Sequence, residues 1–273
     1  MRNSLMRIAQ LLLPGASSYE RKSQRLDAAA LEGQAESMSH VGQPLRLSGF
    51  DVAHVYGPRV LPPALFTGFP IPYVASGTVT KPRLSFRSPR EPEYSLAPVE
   101  DDEFTLLPEA VDDRYFDVRW QPKGAVSIGS VDRPEVRNII EQTMARIRRF
   151  REDIDWHLFT HEPAPDELAQ LFAWIDPAVD SDDFGGLTAE ALVAGVPVIA
   201  SRTPINVQRC EQGRTGVLVP TRDPNELVHA ILGALFKPEV ANSKINAARQ
   251  TASKFRIRQR QRVLGHIYEN MTR

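Results

Sequence analysis

Cysteine is nearly absent: Cys210 is the only one among 273 residues. That excludes an intramolecular disulfide and a cysteine-based metal cluster, and it fits a reducing compartment. Charge of one sign is not in excess either, with 33 Lys and Arg against 34 Asp and Glu. Proteins that hold nucleic acid through bulk electrostatics carry a basic surplus, so nucleic acid is not an expected partner. No apolar run approaches the ~20 residues of a membrane-spanning helix. The run Leu11 to Leu13 near the start is interrupted upstream by Arg7 and Gln10 and followed by Pro14-Gly15. It is too short for a signal-peptide core and reads as a buried strand ending in a turn. Self-similarity with a period of roughly 20 to 50 residues, the mark of a repeat array, is also missing.

What is present is ordinary globular material, 42% hydrophobic and 25% charged. The length suits two compact domains of roughly 100 to 150 residues each. After the first strand, Ser17 to Glu32 has helical composition. Short apolar strands follow at 49–57 and 71–75, and the Pro-, Ser-, Arg- and Glu-rich stretch 76–103 reads as extended loop with at most a short helix. Thr105 to Phe116 reads as a strand that closes the first half and leads into a linker near 117–123. The second half alternates strand and helix. Strands are expected at 125–131, 155–160, 175–179, 197–200 and 215–219, with helices at 135–151, after Pro134, and at 166–172. A further helix follows Asp223, a natural N-cap, and the chain closes in helix from about Asn242 to Met271, broken near Phe255.

The densest stretch runs from Asp180 to Ser201. Gly185 and Gly186 let the backbone approach a ligand, and a helix from about Leu187 would aim its first amides at an anion. A phosphate is the natural guest. Asp182 and Glu190 bracket the turn, and such a pair of carboxylates can grip neutral hydroxyls. The same two glycines would also suit a tight strand-to-helix connection with no ligand.

The segment from Asp182 to Ser201, taken with Gly213 to Pro220 and Asp223 to Leu227, resembles the carboxy-terminal domain of family 4 glycosyltransferases of the GT-B fold, here shortened. The resemblance implies an α/β protein with two Rossmann-like β/α/β domains facing a cleft and a C-terminal helix packing back toward the first domain. It divides the chain into an acceptor-side domain over 1–118, a donor domain over 119–254 and a closing helix over 255–273. It implies retaining, metal-independent transfer of a hexose from a nucleotide diphosphate sugar, with no other cofactor, to a glycan or lipid-linked acceptor in polysaccharide biosynthesis. Asp182 would hold the sugar and Glu190 the ribose as the two catalytic-site carboxylates. Gly129, Arg133, Phe184, Gly185, Gly186, Leu187 and Thr188 would line the donor. The implied location is cytoplasmic, with peripheral association at the inner face of a membrane as a variant.

The chain departs from the family pattern in places. The family carries glutamate where Asp182 stands. Its Arg and Lys after the first strand of this domain are replaced by the run Ser127 to Pro134, which leaves Arg133 or Arg137 as the cations in reach. No histidine follows the strand at Pro72 to Thr78. A second reading therefore stands beside the enzyme: a non-catalytic GT-B-like scaffold or partner subunit with a vestigial nucleotide-sugar site. Three other features have plain explanations. Asp180-Ser181-Asp182 spells a metal-binding triplet but reads as solvated loop acid. His157 and His161 lie on a strand and its exit, about 13 Å apart, too far for one zinc ion. His54 faces either a site or the core of the first domain.

Overall fold

The computed structural model describes residues 7–12, 18–31, 35–39, 50, 52–56, 73–76, 94–97, 105–106, 108–179 and 186–271. The chain divides into two units, Met1–Ala110 with Ile257–Arg273, and Val111–Arg256.

In the first unit, strands β1 (Ile8–Leu12), β2 (Ala35–Ser39), β3 (Val52–Tyr56), β4 (Tyr73–Ser76), β5 (Tyr94–Ala97) and β6 (Thr105–Leu106) form one parallel sheet in the order β2-β1-β3-β4-β5-β6. Ile8 lies opposite Ala35 on one side and Val52 on the other. Helix α1 (Ser18–Ala30) makes the crossover from β1 to β2 that a parallel pair requires. All five residues of β3 are buried, as expected of a strand covered on both faces. Ile8, Leu31 and Val52 pack with Leu264, Ile267 and Tyr268 of the closing helix, α8 (Ile257–Met271). The C-terminal helix thus belongs to the first unit, as the resemblance implied. Three elements differ from expectation. β6 covers only Thr105–Leu106 of the strand expected over 105–116, whose later part holds a 3-10 turn at Asp113–Tyr115. β2 has the weak strand sequence Ala-Glu-Ser-Met-Ser and is held as an edge by pairing with β1. β5 interrupts the stretch expected to be loop, through pairing of Val74 to Ser76 with Tyr94 to Leu96.

The second unit carries β7 (Val126–Val131), β8 (Ile154–Phe159), β9 (Ala173–Asp176), β10 (Val198–Ser201) and β11 (Val217–Val219), all parallel, in the order β8-β7-β9-β10-β11. Its helices are α2 (Arg137–Ile147), α3 (Pro165–Gln170), α4 (Thr188–Ala194), α5 (Pro204–Arg209), α6 (Pro224–Phe236) and α7 (Pro238–Thr251). The alternation of side chains along β9 shows why two cores form. Trp174 joins Leu168, Leu171 and the α4 residues Ala189, Leu192 and Val193 on one face. Ala173 and Ile175 join Ile139, Ile147, Leu227 and Ile231 of α2 and α6 on the other. Both layers of helix are needed because β9 and β10 have no exposed face. Asp223 caps α6 as its sequence suggests, its Oδ1 accepting from the amides of Asn225 at 3.0 Å and Glu226 at 3.1 Å. The helix expected over 135–151 is shorter: a 3-10 turn at Pro134–Val136 precedes α2, which stops at Ile147.

Candidate functional site

The strand order places a topological switch point in the second unit. β7 and β9 are neighbours, yet the chain leaves β7 toward β8 on one side and returns to β9 on the other. In open parallel sheets a crevice opens beyond the carboxyl ends of two such strands, and ligands bind there. The residues at that point are Asp132 and Arg133 after β7, and Asp176 and Pro177 at the end of β9.

Asp176 organises the surroundings. It is 4% exposed, and its Oδ1 accepts from Arg133 Nη2 at 3.0 Å. Its Oδ2 accepts from Thr188 Oγ1 at 2.7 Å and from Asn206 Nδ2 at 3.1 Å. Asn206 passes the chain on, its Oδ1 accepting from Arg209 Nη1 at 3.1 Å. One carboxylate thereby ties the end of β9 to β7, α4 and α5. Such a pair contributes chiefly by geometry: its Coulomb attraction is offset by desolvation, but removing one partner strands a charge. Gly186 follows from the same packing. A Cβ there would lie 2.0 to 2.2 Å from the three carboxyl atoms of Asp176. Only a residue without a side chain can cross over that acid.

The predicted site residues fall into four groups. Asp182, Phe184 and Gly185 lie outside the described residues. Arg133, Gly186 and Thr188 are brought together around Asp176. The Arg133 guanidinium also donates to the Pro177 carbonyl at 2.6 Å, so it is turned into the protein. Leu187 is the N-cap of α4 and, being apolar, makes no capping hydrogen bond. Gly129 and Glu190 stand apart from this network. A Cβ on Gly129 would lie 2.5 Å from Leu171 and 3.0 Å from Trp174, so its lack of a side chain serves the core. Glu190 is 1% exposed on α4, near Tyr115, whose hydroxyl donates to the Pro163 carbonyl at 2.7 Å. Burial first, then Glu162 and Glu190, raises the Tyr115 pKa well above that of a free phenol, so it stays a neutral donor. Arg137, the other cation considered, pairs Asp132 bidentately at the surface, at 2.8 Å for both bonds.

Sequence reasoning missed Asp176, Asn206 and Arg209. Asp176 had a signal: it is an acid closing the buried run Ala173-Trp174-Ile175, where an unpartnered charge is not tolerated. Asn206 and Arg209 had none, because α5 was not anticipated. His54 proves to be a core residue of the first unit, fully buried, with its pKa held down to about 4 mainly by desolvation.

Residues 120–236 match a family model described as Glycosyl transferases group 1. No curated protein matches the sequence. Solved structures similar to this chain include Anabaena Alr3699/HepE in complex with UDP-glucose, at a TM-score of 0.71 and 11% identity over 96% of this chain and 99% of that one. A glycosyltransferase from Rickettsia africae gives 0.70 and 12%, covering 97% and 98%. Sucrose-phosphate synthase from Thermosynechococcus elongatus gives 0.70 and 13%, also covering 97% and 98%. At such identities the likeness is one of fold. Residues 120–236 match the glycosyl transferases group 1 family model, and the chain as a whole has the fold of GT-B glycosyltransferases.

Proposed function

We propose that the protein is a retaining, metal-independent hexosyltransferase that takes its sugar from a nucleotide diphosphate sugar and passes it to a glycan or lipid-linked acceptor. The observation that carries this is the switch point between β7 and β9, within the segment that matches the family model. HepE, which shares the fold, is a structure with UDP-glucose, which supports a donor of that class. Glu190 is the ribose ligand in this reading and Asp182 the sugar ligand. Gly185, Gly186, Leu187 and Thr188 present backbone to the donor. Without a metal, the leaving diphosphate must meet fixed positive charge and oriented amides, and the acceptor must be held in line.

A cytoplasmic location goes with this reading. Arg148, Arg149 and the 65% exposed Phe150, which follow α2, would serve a peripheral contact with anionic lipid. Among the described residues no helix is long and apolar enough to cross a membrane.

A non-catalytic scaffold with a vestigial donor site is favoured by one observation: Arg133 and Arg137 are both paired internally with aspartates. Calorimetry with UDP-, GDP- and ADP-sugars decides between the readings, with Glu190→Ala as control. Binding in the wild type, weakened at least tenfold in Glu190→Ala, together with transfer or slow donor hydrolysis, supports the enzyme. Binding without any turnover supports the scaffold, and no binding of any donor removes both.

A further inference from the structure

At the carboxyl edge of the second sheet, two arginines beyond the predicted set remain unspent. Arg202 follows β10 and Arg222 follows β11, and the amide of Arg202 donates to the Val219 carbonyl at 2.7 Å, so the two strand ends run together. Both residues are exposed, and among the described residues neither guanidinium is paired with a carboxylate. This contrasts with Arg133 and Arg137, which are.

Arg222 is also held in place. Its backbone is left-handed, at φ 58, a region that a side chain disfavours and that glycine adopts freely. Strain of this kind persists only where the surroundings over-determine it. Here its amide donates to the Ala178 carbonyl at 3.2 Å, its Nε donates to the Val179 carbonyl, and the next residue, Asp223, is pinned as the cap of α6. Val179 is the last described residue before the glycine turn. The Nε bond fixes the guanidinium beside the Val179 backbone, and among the described residues the two Nη groups have no acceptor. A planar fork of free N–H groups at the ligand-binding edge of a parallel sheet is suited to a phosphate.

We propose that Arg222, with Arg202 at the end of the neighbouring strand, is the cationic end of the donor site and binds the phosphates of the nucleoside diphosphate sugar, supplying the counter-charge that Arg133 and Arg137 do not. This rests on the donor-binding reading given above.

The test is calorimetry on the full chain with UDP, GDP and ADP, taking whichever the wild type binds tightest and comparing it with its own nucleoside. Arg222→Gly keeps the backbone conformation and removes the guanidinium. It is expected to lower nucleoside diphosphate affinity about tenfold or more, to leave nucleoside affinity unchanged, and to make the remaining affinity less dependent on salt. Equal diphosphate binding by a folded Arg222→Gly and the wild type overturns the proposal and leaves the donor-binding reading standing. A wild type that binds none of the three removes that reading and the proposal with it. Should Arg222→Gly not fold, Arg202→Gln and Arg222→Lys carry the test: weaker diphosphate binding in both supports the proposal, and unchanged binding in both overturns it.

Discussion

Each unit buries one acid against one arginine, and the two pairs differ in what surrounds them. In the first unit Asp27, fully buried on α1, accepts both from Nε and, at 3.0 Å, from Nη2 of Arg260 on α8. Tyr56 closes the other side with a 2.7 Å bond to Asp27, and His54 Nδ1 lies 3.0 Å from the Tyr56 hydroxyl and within hydrogen-bond distance of Tyr268. Every member of that cluster is sealed among apolar side chains of α1, β3 and α8. In the second unit Asp176 and Arg133 are also buried, yet they lie at the mouth of the switch point, with Asp176 directly beneath Gly186. The first pair fastens a helix that is distant in sequence, whereas the second lies at the floor of the candidate site. Burial alone does not tell such charges apart; position in the sheet does.

The largest expected effect breaks the first pair. Asp27→Ala removes the carboxylate that faces the buried Arg260 guanidinium and is expected to destabilise the chain by about 3 to 5 kcal/mol in denaturant unfolding. A loss under about 1 kcal/mol would show that α8 is held by its apolar face alone.

The second effect is acid sensitivity. The folded pKa of His54, about 4, lies below its ordinary value of 6.5, with desolvation the main cause and Arg260 adding to it against Asp27. The unfolded chain therefore takes up a proton first as pH falls. His54 contributes stability that is complete above pH 6.5 and is lost between there and pH 4, by about 3 kcal/mol. Unfolding free energies measured across that window should fall less steeply in His54→Gln. Equal slopes in the two chains would place the acid sensitivity elsewhere.

The smallest effect sharpens the second pair. Gly186→Ala drives a methyl group into the Asp176 carboxyl and is expected to cost about 1 to 3 kcal/mol of stability, through overpacking, while weakening donor binding. Unchanged stability would mean that the carboxylate swings aside and that the floor of the site is soft.

Much of this was legible in the sequence because it is local. Short apolar runs bounded by turn residues mark most strands of the second unit, and Asp223-Pro224 marks the start of α6, since caps and fixed φ angles act within a few residues. The start of α4 just after Gly186 was legible for the same reason. β2, β5 and α5 were not, because Ala35–Ser39, Tyr94–Ala97 and Pro204–Arg209 are short and owe their structure to what they pack or pair against.

Alternation of strand and helix determined by itself an α/β protein, and the order of motifs from Asp182 to Leu227 carried the resemblance to the GT-B fold. The tertiary structure alone decided which charges are spent. Arg133 and Arg137 are good phosphate ligands on paper, but the neighbour relation of β7 and β9 sets Arg133 against Asp176, and a surface pairing with Asp132 occupies Arg137. The sheet order likewise places Arg222, 43 residues along the chain from Val179, beside it. Electrostatic partners are chosen across space, at distances that no window along the chain contains.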